Sequence, residues 1–212
     1  MILYGSPLSP FVRKTLAYAA EKGIELELVQ AGMGAGPPEF KIASPFGKMP
    51  GFKDGDFLIS DSTAIITYLE ALQPEPNLIP AEPRARARTI WYEEFADTIL
   101  IAAAGPMFFN RLVAPKFLGR PGDDAAADHA EKSLLPPVLA YLETAIPTSG
   151  FLVEDRITLA DLAVATGFVN LAHIGCPVDA AAYPRTAAYV SAILARPSFA
   201  PWVAREKAML GG

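Results

Sequence analysis

Cysteine is almost missing: Cys176 is alone in 212 residues. This excludes an intrachain disulfide framework and a cysteine-rich zinc site, and it fits a reducing compartment. Histidine is nearly as scarce, with His129 and His173 only, each read as structural or surface. Charge is sparse at 19%, and there is no basic excess. Lys and Arg total 18 against 23 Asp and Glu, a net charge of −5. That balance argues against non-specific binding to nucleic acid or to an anionic membrane. Long apolar runs are lacking too. The longest, Ile99 to Phe109, has eleven residues with Gly105-Pro106 inside it, too few to span a bilayer. The opening Met1-Ile2-Leu3-Tyr4-Gly5-Ser6-Pro7 has no basic segment ahead of an apolar one, so no secretory leader is expected. The expectation is a soluble cytoplasmic protein.

What is present is core-forming. Some 51% of residues are hydrophobic, which argues against disorder. Alanine fills 8 of the first 76 positions but 27 of the 129 from Arg84 onward. It is the best helix former, so the C-terminal part is predicted to be all helical. Four prolines fall within Gln73 to Pro83, a stretch able to hold neither helix nor central strand. The division predicted is a first domain over 1–76, a proline-rich linker over 77–83 and a helical domain over 84–212.

The first domain alternates element types. Ile2-Leu3-Tyr4 is a β-prone run, and Pro10 suits the first turn of a helix running to Glu21, with Gly23 closing it. Leu26 to Val29 is a second strand. Gly32 to Pro38 leaves room for a short helix. Asp54-Gly55 between Gly51-Phe52-Lys53 and Phe57-Leu58-Ile59 signals a hairpin. Ser60-Asp61-Ser62 opens a helix to about Leu72. The order βαβαββα with a right-handed crossover is thioredoxin-like. In the second domain, a long helix from Arg84 is expected to kink or end at Gly105-Pro106. Another runs from Asp123/Asp124 to about Ala145. Thr158-Leu159-Ala160-Asp161 is a capping box opening an almost wholly apolar, hence central, helix.

Three places in the first domain could carry chemistry, and each has a plainer reading. Ser9 stands at the N-cap before Pro10, where unpaired N–H groups and partial positive charge favour an anion or lower a thiol's pKa. It could equally be only a cap. Met49-Pro50 precedes the third strand. If cis, it would present the Met49 backbone to an extended peptide; otherwise it is an ordinary turn. Asp61-Ser62 could receive the ammonium and carboxylate of an amino-acid head group, or simply cap its helix.

Taken together and in order, these segments carry a resemblance. Leu3 to Lys14, Pro45-Phe46-Gly47-Lys48-Met49-Pro50, Asp61-Ser62-Thr63-Ala64-Ile65, the proline-rich linker and Ile157 to Asp161 are similar to a cytosolic glutathione transferase over essentially the full chain. The resemblance is to the bacterial type with a catalytic serine, theta-, phi- or zeta-like. It implies an α/β thioredoxin-like domain joined to an all-α helical bundle. It implies glutathione as co-substrate, no metal, a small apolar electrophile and a homodimer, with no nucleic-acid or membrane partner.

The resemblance also assigns roles. Ser9 is the catalytic serine, donating to the glutathione thiolate, with Tyr4 and Ser6 as alternative thiol activators. Met49 pairs through its backbone with the cysteinyl unit beside a cis Pro50. Asp61 and Ser62 hold the γ-glutamyl ammonium and carboxylate. Lys48, or secondly Lys41, approaches the glycyl carboxylate. Leu8, Phe11, Phe108 and Arg111 line the electrophile pocket. Arg13 is structural. The family usually carries Glu or Gln where Asp61 stands; Asp keeps the charge and shortens the reach. An isomerase or dehalogenase of the same family, or a non-catalytic binding or assembly module, is the alternative reading.

Overall fold

Strand β1 (Ile2–Gly5) lies inside a four-stranded sheet of order β2-β1-β3-β4 in a computed structural model that describes residues 1–211. It pairs parallel with β2 (Glu27–Gln30), Leu3 opposite Leu28, and antiparallel with β3 (Gly51–Asp54), Leu3 opposite Phe52. Strand β4 (Phe57–Ser60) completes the hairpin. Asp54 pairs with Phe57, so the two-residue loop is Gly55-Asp56, with Gly55 at φ +58°. Helix α1 (Pro10–Glu21) makes the crossover, α2 (Pro38–Ala43) precedes β3, and α3 (Ser62–Leu72) follows β4. This is the expected thioredoxin-like order.

Side-chain alternation along β1 separates two apolar layers. Tyr4 joins Ala31 and Phe40 of α2, with Ile2, Val29 and Met49 against them. On the other face, helix α1 approaches so closely that a Cβ at Gly5 would lie 2.4 Å from Val12 Cγ2. Only glycine fits there. Leu3, Val12, Phe52, Ile65, Ile66 and Leu69 are wholly buried, each contributing about 1.5–3 kcal/mol by leaving water. Buried polar groups pin the edges of this layer. Lys22 donates to the Glu70 carboxylate and to the Pro76 carbonyl, and Tyr18 donates to the same carboxylate.

The chain divides into two compact units: Met1–Leu78 together with the residues from Arg196 onward, and Ile79–Ala195. The closing helix (Ala200–Leu210), assigned from the sequence to the helical domain, therefore groups with the sheet. One ion pair holds the helix itself and a second holds the residues leading into it. Arg13 Nε and Nη2 meet Glu206 Oε1 and Oε2 at 2.6 and 2.7 Å. Arg196 Nε and Nη2 meet Glu21 Oε1 and Oε2 at 2.7 and 2.8 Å, and Ser198 Oγ donates to Glu21 at 2.6 Å. Burial pushes the Glu21 carboxyl up, but these donors and the Arg196 charge outweigh it and hold the group below its usual value.

The helical unit is built on α4 (Pro83–Phe117), 35 residues long. It neither ends at Gly105-Pro106 nor stops short of Phe117. Pro106 sits inside the segment Ile101–Phe108, flanked by π-helical turns at Phe95–Leu100 and Phe109–Val113. Pro106 has no N–H to give the carbonyl four residues earlier, yet the helix continues past it. By length and composition alone α4 could cross a bilayer. Of its apolar stretch 39% is buried inside the protein, including Phe95, Leu100, Ala103, Ala104 and Met107. Helix α5 runs over 124–145, capped by Asp123 and interrupted by a π-helical stretch at Ala130–Leu134. Helix α6 (Leu159–His173) is buried from Leu159 through Leu171. The unit's last helix, α7 (Pro184–Leu194), follows.

The capping box forms as predicted, and Asp161 does more than cap. Its carboxylate accepts from Leu152 N (2.9 Å), Thr158 N (2.9 Å), Thr158 Oγ1 (3.1 Å) and Tyr189 Oη (3.2 Å) with no solvent exposure. Burial drives the Asp161 carboxyl up against the pull of these donors. Removing the acceptor would strand four donors in the core. Asp161→Ala is predicted to cost roughly 2–4 kcal/mol, read as a drop in the urea midpoint of the helical unit. An unchanged midpoint would remove Asp161 from this role.

Candidate active site

The turn from β1 into α1 is four residues long and closed by its own backbone. Ser9 N donates to the Ser6 carbonyl at 3.0 Å, and the Ser9 carbonyl accepts from Arg13 N at 3.0 Å. Ser9 is the N-cap of α1, as the plainer reading had it, with φ −77° and ψ 124°. Its Oγ accepts from Val12 N at 3.5 Å, longer than an ordinary N–H···O bond. The half-buried hydroxyl is therefore held loosely at a helix terminus whose N–H groups favour an anion. Ser6 and Leu8 are buried beside it, and Phe11 is half-buried.

Tyr4 is placed differently. Its ring packs against Phe40 at 6.3 Å between centroids, in the apolar layer containing Ala31. Burial first, then the charges of Glu39 and Glu27, keeps its phenol above the ordinary value.

The second segment is the loop from Ser44 to Pro50. Buried Ser44 closes it, donating from Oγ to the Lys48 carbonyl at 2.6 Å while its own carbonyl accepts from Gly47 N at 2.9 Å. Met49-Pro50 is cis. The β1–β3 ladder begins at Gly51, so the Met49 backbone lies outside the sheet. Lys48 is exposed on the loop. Lys41, exposed on α2, lines a cavity of about 260 Å³ with Phe40, Ser44 and Pro45.

The third segment is Asp61-Ser62. Asp61 caps α3, its Oδ1 accepting from Thr63 N at 2.9 Å and Ala64 N at 3.1 Å. Its backbone sits at φ +82°, ψ +128°, a region almost reserved for glycine. Ser62, the first helical residue, is 3% exposed.

Two hydrogen bonds tie the three segments together. Ser6 N donates to the Met49 sulfur at 3.4 Å, and Asp61 N donates to the Pro50 carbonyl at 3.3 Å. Sequence reasoning missed the sulfur contact. It also missed the partner of Arg13, Glu206, because neither is a local signal. The one trace of the first is Gly32, where a Cβ would lie 2.4 Å from Met49 Cε. Phe108 and Arg111 belong to the helical unit. The Arg111 guanidinium there is engaged by Glu131 (2.6 Å), Asp128 (2.9 Å) and Cys176 Sγ (3.4 Å). Burial, followed by the Glu131 charge, raises the Cys176 thiol pKa, so its sulfur is a poor nucleophile. Among the described residues, no three His, Cys, Asp or Glu side chains gather as a metal site.

Comparison with known proteins places these features in a family. Residues 3–77 match the profile described as glutathione S-transferase, N-terminal domain, and residues 113–206 that described as glutathione S-transferase, C-terminal domain. Glutathione S-transferase 3 of Zea mays is 33% identical over 211 residues, covering 95% of this chain and 92% of the relative. A crystal structure of a glutathione S-transferase from Rhodospirillum rubrum superposes with a TM-score of 0.86 at 26% identity, covering 95% of this chain and 90% of that one. A structure of glutathione S-transferase-I bound with lactoylglutathione has a TM-score of 0.82 at 27% identity, with 96% and 98% covered.

The backbone at Asp61 yields a prediction of its own. Asp61→Ala loses the cap and keeps the unfavourable φ, costing about 1 kcal/mol. Asp61→Gly also loses the side chain but relieves strain on the order of 1–3 kcal/mol. Thermal unfolding should therefore rank the glycine variant above the alanine variant. The reverse order would show that Asp61 is not strained.

Proposed function

The chain belongs to the glutathione S-transferase family, and on that footing we propose that it is a serine-type glutathione transferase. It binds glutathione at the joined segments Ser6–Ser9, Met49-Pro50 and Asp61-Ser62 and adds the thiolate to an apolar electrophile. The observation that carries the reading is the junction itself. The turn that ends in the Ser9 cap, the Met49-Pro50 pair just before β3 and the Asp61 cap of α3, far apart in sequence, are linked by two hydrogen bonds, Ser6 N to the Met49 sulfur and Asp61 N to the Pro50 carbonyl.

The chemistry follows from the parts. The chain brings no reactive sulfur to this place, so the nucleophile arrives with glutathione. A free thiol has a pKa of about 8.5 and is only a few per cent ionised at neutral pH. A hydrogen bond from the Ser9 hydroxyl to a thiolate is worth about 1.5–3 kcal/mol, and the α1 terminus adds up to about 1 kcal/mol. At about 1.4 kcal/mol per unit, these lower the thiol pKa by roughly 2 units. The proton leaves to solvent, the sulfur lone pair forms the C–S bond, and the displaced pair leaves with the electrophile's departing group or moves into its conjugated system. Leu8 and Phe11 flank Ser9 as an apolar wall for that partner. Met49 pairs by its backbone with the cysteinyl unit. Asp61 Oδ2 and the α3 terminus at Ser62 receive the γ-glutamyl ammonium and carboxylate. Lys48 or Lys41 meets the glycyl carboxylate.

The proposed enzyme is a homodimer, as its family implies, and Phe46, a large apolar side chain left 91% exposed, is the residue we assign to its interface.

Replacing Ser9 with Ala should raise the pKa of bound glutathione by about 1–2 units, followed by the ultraviolet absorbance of the thiolate. An unmoved titration would remove Ser9 as the activator, and failure of the wild-type protein to bind immobilised glutathione would favour a non-catalytic module. For the assembly, Phe46→Ser should shift the sedimentation of a dimer toward the monomer; a dimer insensitive to it is built elsewhere.

A further inference from the structure

The β1–β3 ladder stops one rung short, and a side chain stands in for the missing rung. Its last pair is Tyr4 with Gly51, after Leu3 with Phe52 and Ile2 with Lys53. Continued in that register, the ladder would set Gly5 against Pro50 and Ser6 against Met49. Residues along a strand turn their peptide groups alternately to one neighbour and the other. The Met1 and Gly5 carbonyls accept from Glu27 N at 3.0 Å and Ala31 N at 3.3 Å, on the β2 side. The Ser6 N–H therefore points to the β3 side, where Met49 stands. An antiparallel rung at this place would exchange two bonds, Ser6 N to the Met49 carbonyl and Met49 N to the Ser6 carbonyl. The structure makes neither. Ser6 N donates to Met49 Sδ at 3.4 Å, and the Ser6 carbonyl accepts from Ser9 N at 3.0 Å. Both Ser6 backbone groups are thus satisfied without calling on the Met49 backbone.

Space for the sulfur is built in. The Met49 side chain runs past two glycines. A Cβ at Gly32 would fall 2.4 Å from its Cε and 3.1 Å from its Sδ, and one at Gly5 would fall 3.5 Å from its Cβ. A side chain at position 32 would push the thioether off the Ser6 N–H. The rest of Met49 packs against the apolar cluster of Tyr4, Ala31 and Phe40. For that packing an aliphatic side chain of similar volume would serve as well. The sulfur adds the one thing an aliphatic chain lacks, a weak hydrogen-bond acceptor.

We infer that the Met49 thioether is a positioning group of the glutathione site: by holding the Ser6 N–H it occupies the rung that its own carbonyl would otherwise close, and so keeps the Met49 backbone open to an incoming peptide. This rests on the reading above, in which the Met49 backbone pairs with the cysteinyl unit. Without the sulfur, the Ser6 N–H turns to the acceptor next in register, the Met49 carbonyl, which is then spent inside the protein.

The test uses the full chain as wild type, Met49→Leu and Met49→Gln. Three quantities are read: Kd for glutathione by titration calorimetry, the thiol pKa of bound glutathione from thiolate absorbance, and kcat with chlorodinitrobenzene at saturating glutathione. Met49→Leu keeps the volume and loses the acceptor. It should weaken glutathione binding about three- to tenfold, the effect of one hydrogen bond. Thiol pKa and kcat at saturation should stay near wild type, because Ser9 is untouched. Met49→Gln returns an acceptor oxygen at similar reach and should bind within about twofold of wild type. A packing role alone ranks the two the other way, with leucine near wild type and glutamine worse. Leucine as tight as wild type, or glutamine no tighter than leucine, would overturn the inference. If one variant does not fold, norleucine incorporated for all five methionines swaps sulfur for methylene at nearly constant shape. In the wild type it should weaken binding as leucine does. In the folded Met49 variant, which controls for the other methionines, it should add nothing; an equal effect in both backgrounds also overturns the inference. Failure of the wild type to bind glutathione would instead sink the reading of the site itself, whereas equal binding by wild type and Met49→Leu leaves that reading standing and removes only the positioning role.

Discussion

The close approach of α1 to β1 is the constraint on which the first unit depends. At Gly5 there is no room for even a methyl group beside Val12. The chain must therefore leave the strand, turn and start a helix within Ser6 to Ser9, and that turn aims the α1 terminus at the Met49 loop. Apolar burial presses α1 down but does not choose its rotation, since the hydrophobic effect has no direction. Rotation is chosen by polar contacts that work only in one register: Arg13 with Glu206, and Glu21 with Arg196 and Ser198. Lys22 adds a third by reaching both Glu70 and the Pro76 carbonyl.

The helical unit solves the same problem with a different group. Helix α6 is apolar nearly all round, so hydrophobicity alone would let it turn about its axis. Asp161 prevents that. Its four donors come from the loop before the helix, from the cap and from Tyr189 of α7. The cost shows in the Asp161 carboxyl, driven up by burial despite those donors, and in the Tyr189 phenol, pushed well above its usual value by the same burial and by the Asp161 charge. In both units a wholly buried charged or polar group specifies an orientation that packing leaves open.

This division explains what could be seen in the sequence. Local signals were legible: Pro10 at the start of α1, the Asp54-Gly55 turn, the Thr158–Asp161 box and the alanine-rich second half all led to elements the structure contains. The three segments of the candidate site stood out for the same reason, as each sits at a chain punctuation mark. What required tertiary structure was not legible. Glycine and proline at 105–106 predict a kink or an end, yet α4 runs on to Phe117 with π turns on either side of that pair. The closing helix is as rich in helix formers as its neighbours, and nothing in its composition says that it groups with the sheet. Glu206 looks like one more acid on a helix until Arg13 is found against it.

The places where local rules are weakest are the ones that the proposed chemistry needs. A well-made N-cap would lock its oxygen onto a backbone N–H at about 2.9 Å; Ser9 stands off at 3.5 Å. A well-made helix start would use an unstrained residue; Asp61 caps α3 from a positive φ while its N–H reaches the Pro50 carbonyl. Elsewhere the caps are tight, with Asp123, Glu82 and Asp161 all accepting at 2.7–2.9 Å. Poor local geometry persists only when the surroundings over-determine it, and here they do: the cis-proline loop holds Asp61 by its backbone, and the closing segment holds α1 by Arg13 and Glu21. In the proposed reading Ser9 and Asp61 can meet glutathione because other residues fix the helices they begin. Buried, remote groups fix the helices, while the residues proposed to bind stand at the helix ends, Ser9 with a long cap bond and Asp61 with a strained backbone; the proposed chemistry draws on that division.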